Sequence, residues 1–411
     1  MRWLIHDYAG HSFQVQLSRA LARRGHEVMH AFAGSLETPR GELTRRADDA
    51  PGFQVREVAM DSSYPKAKYS FVRRRRMEVD YGRAVAGLIR NWQPDAVLSA
   101  NTPTEAQGFI IAQTTRLHRR FAYWVQDFYS LAVDKLVRRK FPLFGALIGR
   151  HYRSLDRRHF QASSQIVAIT EDFVPILKQQ FGVPAGKVTV IPNWAPIDSL
   201  PVMPKDNAWA QRHGLQNQFV FLYSGTLGMK HNPELLLQLA LQHRGDAAVR
   251  VIIISEGLGA RWLLEQKSAR GLENIEVLGY QPFEVMPQVL AAADVLVAVL
   301  EEDAGVFSVP SKVLTYLCAQ RPLLLAVPRV NLAARIIEES QSGLCVAPSD
   351  AGAFLAAAAR FRSDPKLAAQ LGVNGRAKAE KSFRIETIAQ QFEEILLGGA
   401  NVHAPNGVPV S

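Results

Sequence analysis

The sequence predicts an α/β protein of two domains, each a doubly wound, Rossmann-like parallel sheet with helices on both faces, the two facing an interdomain cleft. Three observations predict it. The chain has 411 residues, too many for one ordinary core and comfortable for two of about 200 each. Short apolar runs alternate with amphipathic stretches of helical period through to residue 397. A Pro-rich stretch without periodicity, residues 192–204, divides that alternation in two.

The first strand is expected at residues 2–6, an apolar run ended by Asp7. Residues 12–24 carry Phe13, Leu17, Ala20 and Leu21 on one helical face, and Gly25 ends that helix before a strand at 27–33. Helices at 78–91, 104–117 and 171–181 and strands at 96–99, 121–125, 165–169 and 188–191 continue the series. After the break, strands at 219–224, 249–255, 275–278, 295–299 and 322–326 alternate with helices at 233–242, 260–269, 287–292 and 310–319. Helices at 330–339, 351–363, 365–380 and 384–397 close the pattern, and the Gly/Pro/Asn-rich residues 399–411 read as a disordered tail. The expected division is an N-terminal domain at 1–196, a linker at 197–204, a C-terminal domain at 205–383, and a last helix at 384–398 packing back on the first domain.

Composition is globular, 47% apolar and 21% charged. No window approaches about 18 uninterrupted apolar residues, and the opening run is broken by charge at Asp7, too early for a signal peptide. A cytoplasmic protein is expected, with Cys318 and Cys345 reduced in the core. Charge is uneven: residues 1–200 hold 29 Lys and Arg against 18 Asp and Glu, and residues 201–411 hold 19 against 20. The basic excess concentrates in Arg73 to Arg76 and between Lys135 and Arg158. Such a face suits anionic lipid or an anionic substrate, or is a solvated surface. No nucleic-acid-binding motif accompanies it, so nucleic acid is not an expected partner.

Two strand-to-helix corners of the second half carry the chemistry. In the first, Ser224-Gly225-Thr226-Leu227-Gly228-Met229-Lys230 follows a strand and precedes a helix. Backbone amides and a helix N-terminus favour phosphate there, and Lys230 adds a point cation. The loop lacks Walker spacing, so no ATPase is implied. The second corner, Ser308, Pro310, Ser311 and Lys312, opens an apolar helix that also holds Thr315; Pro suits a first turn and Ser can cap it. Either corner alone is also what an ordinary turn looks like; together they point to an anion site. Gly257 lies at a third small-residue strand end, and the turn at Tyr280 can hold a base through its backbone.

These residues support a specific resemblance. The run Tyr223 to Lys230, Leu278-Gly279-Tyr280, Ala293-Asp294-Val295 and Val309-Pro310-Ser311-Lys312-Val313-Leu314-Thr315-Tyr316-Leu317 resemble glycosyltransferase family 4. So do Tyr123-Trp124-Val125-Gln126-Asp127, Ile169-Thr170-Glu171 and Val190-Ile191-Pro192-Asn193-Trp194. The likeness runs over about residues 1–395 and is to the branch building bacterial exopolysaccharides and O-antigens, including colanic-acid-type transferases. The resemblance implies a GT-B fold, a UDP- or GDP-sugar donor on the C-terminal domain, an acceptor on the N-terminal domain, and retention of anomeric configuration. It implies no bound metal or other cofactor, and the sequence has no Asp-x-Asp loop. Many members carry two glutamates where Phe307 and Thr315 stand here, and Arg where Thr226 stands. Lys312 is expected to replace that missing cation beside Lys230.

In the first domain, the resemblance places the loop at Gly10, His11 and Ser12 beside the acceptor and the donor phosphates. His11 there is either a proton carrier or a polar helix-start residue. Asp127 follows a strand and precedes Tyr129; a carboxylate so placed can orient an acceptor hydroxyl, accept its proton, or cap the next segment. Glu171 either touches substrate or belongs to a helix start with Thr170. Between Ser130 and Phe160, apolar and aromatic residues mix with seven or more cations, a pattern that fits a helix in an anionic lipid interface or a core face with a wet basic back. The reading is a metal-independent, retaining hexosyltransferase for a lipid-linked or polysaccharide acceptor, peripheral on the inner face of the cell membrane. A nucleotide-sugar epimerase and a catalytically silent nucleotide-binding scaffold are the alternatives.

Overall fold

A computed structural model describes residues 1–36, 40–64, 70–100, 102–140, 144–228, 231–302 and 311–398. The chain separates into two compact units: Met1–Pro192 together with the chain from Ile385, and Asn193–Arg384.

The first unit holds seven strands, β1 (Arg2–Asp7), β2 (Glu27–Ala33), β3 (Phe53–Val58), β4 (Ala96–Ala100), β5 (Arg120–Val125), β6 (Gln165–Ala168) and β7 (Val188–Val190). They form one parallel sheet in the order β3-β2-β1-β4-β5-β6-β7. Trp3, Leu4 and Ile5 of central β1 are wholly buried, the continuous apolar run a strand covered on both faces requires. Strand β3, absent from the sequence reading, is an edge strand that buries only Phe53 and Val58.

The last helix, Ile385–Leu397, completes this unit. It buries Ile385, Ile388, Ala389, Phe392, Ile395 and Leu396, the spacing of a single helical stripe. Phe392 packs on Trp124 with ring centroids 4.7 Å apart. Glu393 pairs with Arg24 and with His26 Nε2, the latter at 2.6 Å, and the Arg120 guanidinium donates to the Leu397 carbonyl.

The second unit holds β8 (Phe219–Ser224), β9 (Val249–Ile254), β10 (Ile275–Leu278), β11 (Val295–Val299), β12 (Leu323–Ala326) and β13 (Gly343–Val346). They too form one parallel sheet, in the order β10-β9-β8-β11-β12-β13. Strand β13 is another edge strand that the sequence reading omits. Residues 193–204, read as linker or its approach, are packed into this unit. Ile197–Ser199 form a 3-10 turn, Trp194, Ala195 and Leu200 are buried, and Arg376 donates to the Leu200 and Cys318 carbonyls at 2.9 Å each.

Two further differences matter. The helix expected at 78–91 is Phe71–Trp92 and takes in all four arginines of the 73–76 run. Arg is a good helix former, and Arg74 pairs with Glu78 one turn on at 2.8 Å. The basic stretch 130–160 is a pair of helices, Tyr129–Lys140 and Gly145–Ala162. Val133, Val137 and Tyr152 form a small core between them. The expected disordered tail at 399–411 lies outside the described residues.

Candidate functional site

In each sheet the strand order reverses once, between β1 and β4 in the first unit and between β8 and β11 in the second. Loops leaving adjacent strands diverge there, opening a crevice at the carboxyl ends.

In the second unit this point gathers both predicted corners. Strand β8 ends at Ser224 and is followed by Gly225 and Thr226, and the helix Ser311–Cys318 after β11 carries Lys312 in its first turn. The corners meet: Gly225 has φ +129°, and a Cβ built on it would stand 3.0 Å from Lys312 Cε. Lys312 Nζ lies 3.7 Å from the centre of the Tyr223 ring and donates to that ring's hydroxyl. The Tyr223 hydroxyl donates onward to the Thr226 carbonyl at 2.9 Å, and burial pushes its pKa well above the usual tyrosine range, so it stays neutral. Tyr316, one turn beyond Lys312, accepts from the Ser224 amide at 2.7 Å and donates to the Ser224 carbonyl at 3.0 Å. The end of β8 is therefore pinned with both groups of Ser224 satisfied.

Around this core the other predicted residues fall as follows. Thr226 is exposed and shares a 2.8 Å hydrogen bond with the Tyr280 hydroxyl. Gly257 caps the helix Leu258–Arg270, whose Gly259 amide donates to the Leu227 carbonyl at 3.1 Å. Ser311 is exposed, and Thr315 lies half-buried one turn along the same helix. Lys230, Ser308, Pro310 and Phe307 lie outside the described residues. Tyr223 and Tyr316 stand inside the runs that carry the family resemblance but are given no role, because a tyrosine inside an apolar run looks like core.

In the first unit, Asp7 at the end of β1 organises the predicted loop. Its buried carboxylate accepts from the Ala9 amide at 3.1 Å and from the His11 amide, and stands 3.4 Å from His11 Nδ1. Burial pushes the Asp7 pKa up, but the charge and hydrogen bonds of His11 outweigh it and hold the carboxyl below its usual range. Burial likewise pushes the His11 pKa down, and Asp7 more than reverses that. Gly10 has φ +78°, and a Cβ there would stand 2.7 Å from Leu43 Cδ1. His11 is the N-cap of the helix that Ser12 opens.

Asp127 and Tyr129 follow β5, and Glu171 follows β6, at the same carboxyl edge. Asp127 is exposed. Its charge reaches Asp156, a buried carboxyl that accepts from the Ser130 amide at 3.2 Å and from Thr104 Oγ1 at 3.1 Å. Burial, reinforced by Asp127, pushes Asp156 up to about 6. Tyr129 opens its helix, 6.3 Å from the Tyr152 ring. Glu171 is exposed; the helix starts at Phe173, two residues later than expected, because Thr170 Oγ1 bonds to Asp172 and turns the chain first.

A polar cluster beside this edge was not foreseen. Glu78 accepts from Tyr64 and Arg74, both at 2.8 Å, and Glu105 accepts from Arg75 at 2.9 Å and Tyr152 at 2.6 Å. The Arg74–Glu78 spacing was the available signal; the partners on other elements had none. A cavity of about 390 Å³ lies nearby, lined by Met60, Asp61, Arg73, Arg76, Asp80 and Tyr81 among others. Among the described residues, no group of three or more His, Cys, Asp or Glu side chains is arranged to hold a metal ion, and no helix is long and apolar enough to cross a membrane.

In the second unit the described corner brings the Lys312 ammonium to the end of β8 beside Gly225, and the first-unit edge offers hydrogen-bonding groups of both signs. Comparison with known proteins gives a consistent picture. Residues 11–194 match the family described as "Glycosyl transferase 4-like domain" and residues 218–364 match "Glycosyl transferases group 1". The chain is 25% identical over 215 residues to the "Putative colanic acid biosynthesis glycosyl transferase WcaI" of Escherichia coli (strain K12). That match covers 51% of this chain and 52% of the relative, so the chain spans about half the length of that relative. Its fold is similar to that of HepE from Anabaena, solved in complex with UDP-glucose, with a TM-score of 0.68, 17% identity, and 97% of this chain and 100% of that one covered. It is also similar to the sucrose-phosphate synthase of Thermosynechococcus elongatus, with a TM-score of 0.71, 15% identity, and 97% and 98% covered.

Proposed function

We propose, for a chain that belongs to glycosyltransferase family 4 and has the GT-B fold, that it moves a hexose-type sugar from a UDP- or GDP-sugar to a lipid-linked or polysaccharide acceptor. The work is exopolysaccharide or O-antigen assembly at the inner face of the cell membrane, with retention of anomeric configuration and without a metal. The observation that carries the reading is the meeting of Lys312 with Gly225 at the switch point of the second sheet, where a diphosphate would find a cation and strand-end amides together. The relative's colanic-acid name and the UDP-glucose in HepE support it.

In this reading the acceptor hydroxyl forms the new bond to the anomeric carbon as the bond to the diphosphate breaks, and the departing phosphate oxygen takes the acceptor's proton. Lys312 and Lys230 balance the charge that grows on the diphosphate, and their value lies in that growth, not in ground-state binding. The Thr315 hydroxyl takes the ribose contact, and Gly257 and Tyr280 border the nucleoside. On the first unit, Asp127 orients the acceptor hydroxyl, with the Gly10–Ser12 loop, Tyr129 and Glu171 around it.

The test is release of UDP or GDP from a panel of hexose donors, with and without undecaprenyl-diphosphate-linked acceptor. Acceptor-dependent release that falls about 100-fold in Lys312→Ala supports the reading. Donor binding without release would instead indicate a scaffold, and inversion of a sugar centre in the nucleotide sugar without acceptor an epimerase.

A further inference from the structure

The four arginines at 73–76 divide between two faces of their helix. Arg74 and Arg75 turn to the carboxylates of Glu78 and Glu105, at 2.8 and 2.9 Å. Arg73 and Arg76 instead line the cavity of about 390 Å³, together with Met77, Asp80 and Tyr81 of the same helix. The spacing of these five is that of one helical face. Met60 and Asp61, which follow the carboxyl end of β3, also line it. Tyr8, which leads into the Gly10–Ser12 loop, touches two of the lining residues. Its ring stands edge-on to Tyr81 at 5.1 Å, and its hydroxyl donates to Met60 Sδ at 3.7 Å. The cavity therefore adjoins the loop to which the proposed function gives the acceptor.

The lining says what such a cavity takes. Asp80 is paired with Arg83 at 3.1 Å, Asp61 accepts from the Ser63 amide at 2.8 Å, and Arg73 donates to Ser63 Oγ at 2.8 Å. The Arg76 guanidinium makes no hydrogen bond or ion pair among the described residues. A guanidinium with its donors free is a fork for one carboxylate or phosphate. Beside it, the two aspartates keep acceptor sites for hydroxyl donors, and Met60, Met77 and Tyr81 offer apolar surface. Nucleic acid or a bare diphosphate would set several negative charges against Asp61 and Asp80. A neutral sugar would make no use of the Arg76 charge. A sugar residue with one acidic group meets all three features, and the cavity has the volume of a small-ligand pocket.

We propose that this cavity is an acceptor subsite for a sugar residue bearing a single acidic group, carboxylate or phosphate. Arg76 and Arg73 hold that group, and Asp61 and Asp80 accept from the hydroxyls. The inference deepens the proposed function and rests on that reading for why a saccharide acceptor is bound at all. It adds the chemical class of the acceptor and a place for it at the edge strand β3. In the sheet, β3 stands four places from β5, the strand that Asp127 follows, or about 19 Å at ordinary strand spacing. The acidic residue of the acceptor is then a different one from the residue that receives the new sugar.

The experiment is calorimetric titration of the full chain with methyl glucuronide, glucose 6-phosphate, methyl glucoside and inorganic phosphate. One of the two acidic sugars is expected to bind about tenfold more tightly than both methyl glucoside and inorganic phosphate, and whichever does so identifies the acidic group. R76Q, altered at an exposed position, is expected to weaken that binding about tenfold, to leave methyl glucoside as it was, and to melt at the wild-type temperature. R73Q is expected to act in the same direction by a smaller factor. R90Q, which removes an exposed cation farther along the same helix, is expected to change nothing. Methyl glucoside or inorganic phosphate binding as tightly as the acidic sugars overturns the inference, as does a failure of both acidic sugars to bind. An R76Q chain that binds them as the wild type does also overturns it, and so does an R90Q chain weakened as much as R76Q, which would mean diffuse attraction. The melting shift with UDP or GDP is read in parallel. Its absence with acidic-sugar binding intact counts against the transferase reading alone, and its presence without acidic-sugar binding counts against the subsite alone.

Discussion

The ammonium of Lys312 rests 3.7 Å from the centre of the Tyr223 ring and donates to that ring's hydroxyl, so a residue of the helix after β11 is held by a residue of β8. The seat exists because Gly225 has no side chain. Gly225→Ala combines a strained φ of +129° with a Cβ 3.0 Å from Lys312 Cε, and is expected to cost about 1–3 kcal/mol of stability. It should also reduce the melting shift given by UDP or GDP, because Lys312 must leave its place. A variant with unchanged nucleotide shift would remove Gly225 from the site. Tyr223→Phe keeps the ring under the ammonium and loses only the hydroxyl, so its effect on nucleotide affinity should be smaller.

Tyr316→Phe removes two hydrogen bonds at once and leaves the buried Ser224 amide and carbonyl without that partner. The expected loss is about 1–3 kcal/mol, measurable as a lower denaturant midpoint at unchanged slope. A change within a few tenths of a kcal/mol would mean water replaces the hydroxyl.

Both sheets were legible from periodicity because central strands such as β1 and β8 are unbroken apolar runs with a helix after each. The edge strands β3 and β13 were not. In β3 only Phe53 and Val58 are buried, so its polar residues mask the alternation. In β13 a four-residue run beginning with Gly343 carries too little pattern to be seen. The two corners at Gly225 and Lys312 were found from residue type, since Gly after a strand and Lys after a Pro–Ser helix start are visible locally. Their anchors were not. Tyr223 and Tyr316 act through Lys312 and Ser224, 89 and 92 residues away in sequence, and Asp156 in the first unit acts through Ser130 and Thr104; partnerships at such separations have no local signature.

The Asp7–His11 pair gives stability a defined pH dependence. His11 has a pKa above its ordinary 6.5, so its contribution is present below 6.5 and is lost as pH rises through the raised value. Asp7 has a pKa below its ordinary 3.8, so its contribution is present above 3.8 and is lost as pH falls through the lowered value. Asp7→Asn should remove both slopes and cost about 2–3 kcal/mol near pH 6, where charged hydrogen bonds to the Ala9 and His11 amides are replaced by neutral ones. Melting curves from pH 3 to 9 check this; an unchanged profile would contradict the pairing.

Asp156 works in the opposite direction. Its pKa of about 6, against an ordinary 3.8, means the folded chain holds that proton more tightly than the unfolded chain. Its contribution to stability is full below 3.8 and declines as pH rises to about 6, a span of roughly 3 kcal/mol at most. Asp156→Asn should therefore be near neutral at pH 4 and increasingly stabilising up to pH 6, then constant. A destabilised variant at pH 8 would show that the ionised carboxylate is better accommodated than its burial suggests.

Phe392→Ala in the last helix should cost about 3–5 kcal/mol through loss of its packing on Trp124. The loss should appear in probes of the first unit, such as fluorescence of Trp3 and Trp124. A loss confined to the second unit would be incompatible with where this helix belongs.

Because that helix closes the first unit from the far end of the chain, order of synthesis and order of folding are reversed. The leading half emerges from the ribosome without its final layer and waits for about 200 residues of translation, on the order of 10–40 s at typical rates. The interrupting unit, contiguous from Asn193 to Arg384, can finish first. A nascent chain stalled before Ile385 would thus present Trp124 and its neighbours to chaperones. For the same reason, a fragment cut at Pro192 is a poor starting point for making the leading unit alone, whereas one that splices Ile385–Leu397 back on restores what the cut removed.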